Sequence, residues 1–160
     1  EALALFQEAA EQGNKFAQFK LGQVYQYSRR VEKDLNVSLK WYQKAADQGL
    51  PVAINNLGDM FENGFAVTQD YSQAIKLYEK SAILGSSWGF FSLGTLYETG
   101  KGKPKDAFMA YTFYQIATKI DRSHKDHRKQ VEGNLTTDER KKADEIADSW
   151  KAGSPLPTRQ

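Results

Sequence analysis

Apolar residues along the chain fall on helical stripes that restart at a fixed interval. Ala17, Leu21, Val24 and Tyr25 stand at i, i+4, i+7 and i+8 and gather on one side of a helix predicted from about Lys15 to Tyr27. Leu39, Tyr42, Ala45 and Ala46 do the same for a second helix from about Asp34 to Gln48. After Gly49 the pattern begins again. Gly13, Gly49 and Gly85 are 36 residues apart, and other residues keep step with them: Ala17, Ala53 and Gly89; Leu21-Gly22, Leu57-Gly58 and Leu93-Gly94; Tyr25, Phe61 and Tyr97; Asp34, Asp70 and Asp106. Upstream of each glycine lie Ala9-Ala10, Ala45-Ala46 and Ser81-Ala82, preceded by Leu5-Phe6, Trp41-Tyr42 and Leu77-Tyr78. A period in the thirties marks a tandem array of helix pairs, none of which buries its apolar face alone.

The repeating polar and glycine positions have local reasons. Asp34, Asp70 and Asp106 open the second helices, where free backbone N–H groups and the helix dipole favour a carboxylate. Gly13, Gly49 and Gly85 close those helices in the left-handed conformation. A mid-helix glycine costs about 0.8–1 kcal/mol relative to alanine, so Gly22, Gly58 and Gly94 call for a compensating close approach, each to a bulky residue from the set Tyr42, Tyr78 and Tyr114. On this register Gly58→Leu destabilises by overpacking.

These residues resemble the Sel-one-like repeat family, a relative of the tetratricopeptide repeat. The matching positions are Ala53, Leu57-Gly58, Phe61, Gly64, Val67 and Asp70, followed by the Trp41-Tyr42-Ala45-Ala46-Gly49 pattern of the second helix. The similarity runs from about Ala2 to Ile120. It departs at Tyr27-Ser28-Arg29-Arg30-Val31, which replaces the Gly-x-Gly turn kept at Gly100-Lys101-Gly102 and points to an irregular loop. The resemblance implies an all-α fold: a right-handed α-α superhelix, or α-solenoid, of antiparallel helix pairs. Residues 1–13 read as the second helix of a truncated repeat, 14–49, 50–85 and 86–121 as three full repeats, and 122–150 as a degenerate repeat with a capping helix.

The repeat decays after Ile120. Tyr111, Phe113, Tyr114 and Ala117 still suit a second helix, but Asp121 stands where glycine is expected and Lys129 where leucine is. Thr136-Thr137-Asp138-Glu139 then opens a last helix by a capping-box signal. Its apolar stripe is Ala143, Ile146, Ala147 and Trp150, with Arg140, Lys141, Lys142 and Asp144 expected outward; such a helix closes the open end of an array. Residues 151–160, around Gly153-Ser154-Pro155-Leu156-Pro157, read as a flexible tail.

Composition narrows the chemistry. With 22 basic and 20 acidic residues the net charge is +2, too small for a global field that recruits nucleic acid or anionic membrane. Cysteine is absent, which removes disulfides, thiolate catalysis and cysteine-bound metal. No apolar run reaches the about 18 residues that a membrane span needs, so membrane insertion is not expected. The chain starts inside a repeat, as after cleavage of a leader or trimming of the array. The compartment stays open, and the resemblance leans to a periplasmic or secreted setting over a cytoplasmic one.

Catalytic constellations do not emerge. His124 and His127 could share a helical face and hold a metal, but no further ligand cluster supports them, and a solvated polar helix is the simpler reading. Gly100-Lys101-Gly102-Lys103 reads as the repeat's turn and not as a phosphate loop. Arg122, Lys125, Arg128 and Lys129 form a local basic run, interleaved with Asp121, Asp126 and Glu132 as on a solvated face. No enzyme, cofactor or metal is expected.

Binding is therefore expected where the first helices line the concave side of the array. Counting from Lys15, Pro51 and Ser87, positions 3, 7, 8 and 11 carry packing residues, and positions 2, 5, 9 and 12 form another face. These are Phe16, Phe19, Gln23 and Gln26; Val52, Asn55, Asp59 and Glu62; and Trp88, Phe91, Thr95 and Glu98. Aromatic pairs flank a polar centre, a composition suited to a protein or extended peptide. The resemblance implies a monomeric non-enzymatic adaptor, with bacterial envelope, virulence or effector-inhibitor (immunity) roles known in the family. An envelope glycan or peptidoglycan binder, or a cell-wall enzyme-like member, is the alternative, and a structural spacer a third.

Overall fold

The computed structural model describes residues 2–125 and 127–159. Among them the chain is all-helical, with no strand. The elements are α1 (Ala2–Glu11), α2 (Lys15–Tyr27), α3 (Leu35–Asp47), α4 (Pro51–Asn63), α5 (Tyr71–Ile83), α6 (Ser87–Thr99), α7 (Ala107–Ile120), a 3-10 turn (Arg122–His124), α8 (Lys129–Glu132) and α9 (Thr137–Ser149). Sequential helices pack in pairs, as in an α-solenoid. Residue contacts divide the chain into two compact units, 1–74 and 75–160.

Each helix ends where its residues dictate. Gly13, Gly49 and Gly85 take φ of +92°, +72° and +86°. In each the glycine N–H reaches three residues back and the next N–H five back, as in Gly49 to Ala46 and Leu50 to Ala45, which satisfies carbonyls the helix leaves open. Asp34 accepts from the Asn36 and Val37 N–H groups, Asp70 from Gln73 and Asp106 from Met109.

The predicted irregular loop is present but closed like its counterparts. Gly64 and Gly100 end α4 and α6 in the left-handed conformation, whereas Ser28 ends α2 in an extended one. All three loops are nevertheless tied by one backbone bond, from Asp34 to Tyr25, Asp70 to Phe61 and Asp106 to Tyr97. The aspartate thus both returns the chain and caps the next helix. At Gly100-Lys101-Gly102-Lys103 both glycines have positive φ, as a turn requires.

In unit 1 the interior is built from Tyr42, Ala45 and Leu21, with a cluster of Ala10, Ala17 and Leu21 beneath Leu3, Ala9, Tyr25 and Trp41. Gly22 admits the Tyr42 ring: a Cβ there would lie 2.5 Å from ring carbons. Ser38 secures the same crossing, its hydroxyl donating to the Gly22 carbonyl at 2.8 Å. In unit 2 Gly94 meets Tyr114 in the same way, at 2.7 Å. Gly89 stands closer still to α5, since a Cβ would lie 2.5 Å from the Ala82 nitrogen.

Unit 2 closes with α9, opened by a capping box in which Thr136 and Glu139 bond reciprocally. Ala143 and Ala147 are buried, and Trp150 packs edge-on against Phe90, ring centroids 4.6 Å apart. Two residues expected outward are engaged instead. Asp144 accepts from Tyr111 and from Gln115, and Arg140 pairs with Glu132 at 3.1 Å. The tail, expected to be loose, is seated on the unit: the Gly153 N–H donates to the Ile83 carbonyl at 2.8 Å, and Arg159 pairs with Asp106 at 2.9 Å while lying over the Phe108 ring.

Candidate functional site

The twelve residues expected on the binding face separate into two sets. On α2, Phe16 is 61% exposed and Gln23 half-buried, but Phe19 and Gln26 are buried. On α4, Val52, Asp59 and Glu62 are half-buried and Asn55 is buried. On α6, Trp88 is 47% exposed, with Phe91, Thr95 and Glu98 half-buried. Phe19, Gln26 and Asn55 are therefore corrected: they belong to the interior.

For Phe19 and Gln26 the reason is the tyrosine that Gly22, at position 8, admits. Positions 5 and 12 lie one turn on either side of that glycine, on one stripe. The Tyr42 ring consequently packs on Phe19, centroids 5.9 Å apart, and its hydroxyl donates to the Gln26 side-chain oxygen at 2.8 Å. Tyr114 repeats the arrangement with Phe91 at 5.7 Å and donates to Glu98 at 2.6 Å. Burial drives both phenols above their ordinary range, and for Tyr114 the bond to Glu98 adds to it. Both stay protonated donors at neutral pH. In these two repeats position 5 supplies a wall for the ring and position 12 an acceptor for the hydroxyl.

Accessible surface remains at positions 2 and 9. In unit 1 this face carries Phe16, Gln23, Val52 and Asp59, joined by Tyr27, which is 65% exposed. Partial burial and the nearby Asp59 carboxylate both raise the Tyr27 pKa. In unit 2 the face is an aromatic cluster. Trp88 stands edge-on to Phe91 and to His124, with centroids 5.8 and 4.7 Å away, and Phe91 stacks on His124 at 5.1 Å. Position 2 is thus Phe16 and half-buried Val52 in unit 1, and Trp88 in unit 2.

The histidines follow neither sequence reading. His124 ends a 3-10 turn and is 2% exposed, its Nε2 3.3 Å from the Ser87 hydroxyl. It is a packing ring, not part of a solvated helix. Desolvation lowers its pKa, partly opposed by Asp121. His127 is half-buried against Phe91, and the two imidazole centroids are 6.5 Å apart. Among the described residues no group of three side chains could hold a metal; Asp126 lies outside them. In the basic run Arg122, Lys125 and Lys129 are exposed, whereas Arg128 turns inward and donates to Gln115 at 2.6 Å. No helix among the described residues is long and apolar enough to cross a membrane.

A sequence model of the Sel1 repeat matches residues 1–14, 15–50, 51–86 and 91–119. Among solved structures, a Sel1 repeat protein from Oxalobacter formigenes is similar at 30% identity and a TM-score of 0.75, over 92% of this chain and 63% of that one. A protective antigen of uropathogenic Escherichia coli displaying an SLR fold is similar at 23% identity and a TM-score of 0.57, over 99% of this chain and 45% of that one. The chain thus spans less than two thirds of either relative. Among curated proteins none matches.

Proposed function

The chain belongs to the Sel1 repeat family, and from that premise we propose that it is a non-enzymatic protein-interaction scaffold. Its partner is another protein or an extended peptide, held on the first-helix faces. The observation that carries this reading is the position-2 register: Phe16 and Trp88 keep large rings 61% and 47% exposed on helices whose other apolar residues are mostly covered. Exposed aromatic anchors beside polar groups suit protein partners, since rings add contact area at low entropic cost while polar neighbours set orientation. Gln23, Asp59 and Thr95, at position 9, are those neighbours. Asn55 is buried and is not one of them.

Phe16→Asp and Trp88→Asp, each beside wild type, test the reading by affinity capture from the native organism. A partner held by wild type and lost by both variants, with their melting temperatures within about 2 °C of wild type, supports it; that window corresponds to the roughly 0.5 kcal/mol expected of surface changes. Undiminished capture by both variants overturns it. Quenching of Trp88 by peptidoglycan fragments, with no protein captured, transfers the assignment to glycan binding.

A further inference from the structure

A second site lies on α3, away from the faces described above. An open cavity of about 490 Å³ is walled by Val37, Trp41, Phe61 and Val67, with Lys40 and Lys44 on its rim. The volume lies within the range of small-molecule and side-chain pockets, and the lining is mostly apolar with a few polar groups, the usual composition of a binding site. Lys40 and Lys44 stand one helical turn apart on the same side of α3. Neither enters an ion pair among the described residues; the Lys44 ammonium lies over the Trp41 ring, 4.6 Å from its centroid. No carboxylate lines the cavity.

The next repeat shows how the same register is completed internally. Thirty-six residues on, Lys76 and Lys80 keep the two ammoniums and Tyr97 keeps the aromatic wall of Phe61. Lys103, however, stands where Val67 does, and Glu79 where Gln43 does. Those two residues pair at 3.4 Å, and the Lys103 ammonium lies over the Tyr97 ring at 5.4 Å. There the chain sets its own long side chain and its own carboxylate against the aromatic wall, and the cavity of about 380 Å³ that remains is lined by Lys76, Glu79, Lys80, Ile83 and Leu84, without Tyr97 or Lys103. Around Trp41 both are missing, while the cations and apolar walls remain.

We propose that this cavity docks an acidic peptide segment of a partner, with one large apolar side chain entering between Trp41, Phe61 and Val67 and a flanking carboxylate held by Lys40 and Lys44. Charge selects the class: two ammoniums beside an apolar pocket reward an anion joined to an apolar group and reject a cationic segment. The assignment does not depend on the first-helix face.

A blocked peptide with one phenylalanine between aspartates is titrated into the protein. The indole N–H signal of Trp41, identified by its loss in Trp41→Phe, reports binding. Saturable binding, weakened at least tenfold when lysines replace the aspartates or alanine replaces the phenylalanine, is expected. The double variant Val67→Lys with Gln43→Glu installs the plug of the next repeat and should abolish binding at an unchanged or raised melting temperature. Lys40→Glu with Lys44→Glu should remove binding while the fold persists. Equal binding of the lysine peptide, undiminished binding by the plugged variant, or a saturable response to decanoate but not to the peptide would each overturn the proposal.

Discussion

Gly89→Ala separates two opposed effects at one position. A methyl in the first turn of α6 favours the helix by at most the about 0.8–1 kcal/mol of an interior position, because glycine loses more backbone freedom on folding. Against this, the new Cβ would stand 2.5 Å from the Ala82 nitrogen, 2.9 Å from its Cα and 2.9 Å from the Tyr78 carbonyl oxygen. All three obstacles are backbone atoms of α5, so no side-chain rotation gives relief. The helices must part by on the order of 1 Å, forfeiting much of the dispersion energy along their contact. That places the cost at the upper end of overpacking, about 3 kcal/mol. The net loss is about 2 kcal/mol, or roughly 4–8 °C in melting temperature for a chain of this length. Thermal unfolding followed by circular dichroism measures it. Gly133→Ala is the matched control: its φ is −66° and nothing lies within 4 Å of the added methyl, so it should be neutral or stabilising by up to about 1 kcal/mol. A Gly89→Ala melting temperature at or above wild type would refute the close-approach argument.

Other outcomes follow from the same geometry. Gly94→Ala meets the Tyr114 ring, not backbone; the ring can tilt, so the net loss in a melt should be about 1 kcal/mol and smaller than at Gly89. Tyr42→Phe removes the donor to buried Gln26 and should cost about 1–2 kcal/mol in urea unfolding; no change would deny Tyr42 its anchoring role. Asp106→Ala leaves the Met109 N–H uncapped and should cost about 1 kcal/mol, measured likewise. His124 gives a pH dependence. Its folded pKa lies below the ordinary 6.5, so the folded state binds its proton less readily than the unfolded chain does, and stability should decline as pH falls through about 6.5 and below. Asp121 and Glu139 are also depressed, from 3.8 and 4.5, and their losses come at lower pH. Melting temperatures between pH 7.5 and 5 (roughly the His window) should therefore drop more in wild type than in His124→Phe; equal drops would remove His124 from the account.

How far the binding face could be read from sequence depends on the position. Phe16 and Trp88 sit on a helical stripe distinct from the packing one and are exposed as that stripe implies. Phe19 and Gln26 share the stripe but lie one turn on either side of Gly22, where a tyrosine from the next helix reaches across. A signal for this was present: positions 5, 8 and 12 are spaced i, i+3, i+7, and a mid-helix glycine announces a bulky neighbour wider than its own footprint. His124 carried no such signal. Its burial depends on a 3-10 turn laid over Trp88 and Phe91, and no periodicity survives in that segment to foretell it. The α3 cavity was equally hidden, because Val67 and Lys103 differ in consequence only once Glu79 is seen to meet one and Gln43 not the other.

Local sequence determined the helices, their caps and their pairing, because those depend on contacts within one period of the chain: a left-handed glycine, a capping aspartate, a glycine beneath a tyrosine. Tertiary structure decided which side of each helix stays open. Exposure depends on how far a neighbour's side chain extends over an edge, and that distance is set by helix approach in three dimensions. The same glycine that was legible as a repeat marker therefore also took Phe19 and Gln26 into the interior and left Phe16 outside.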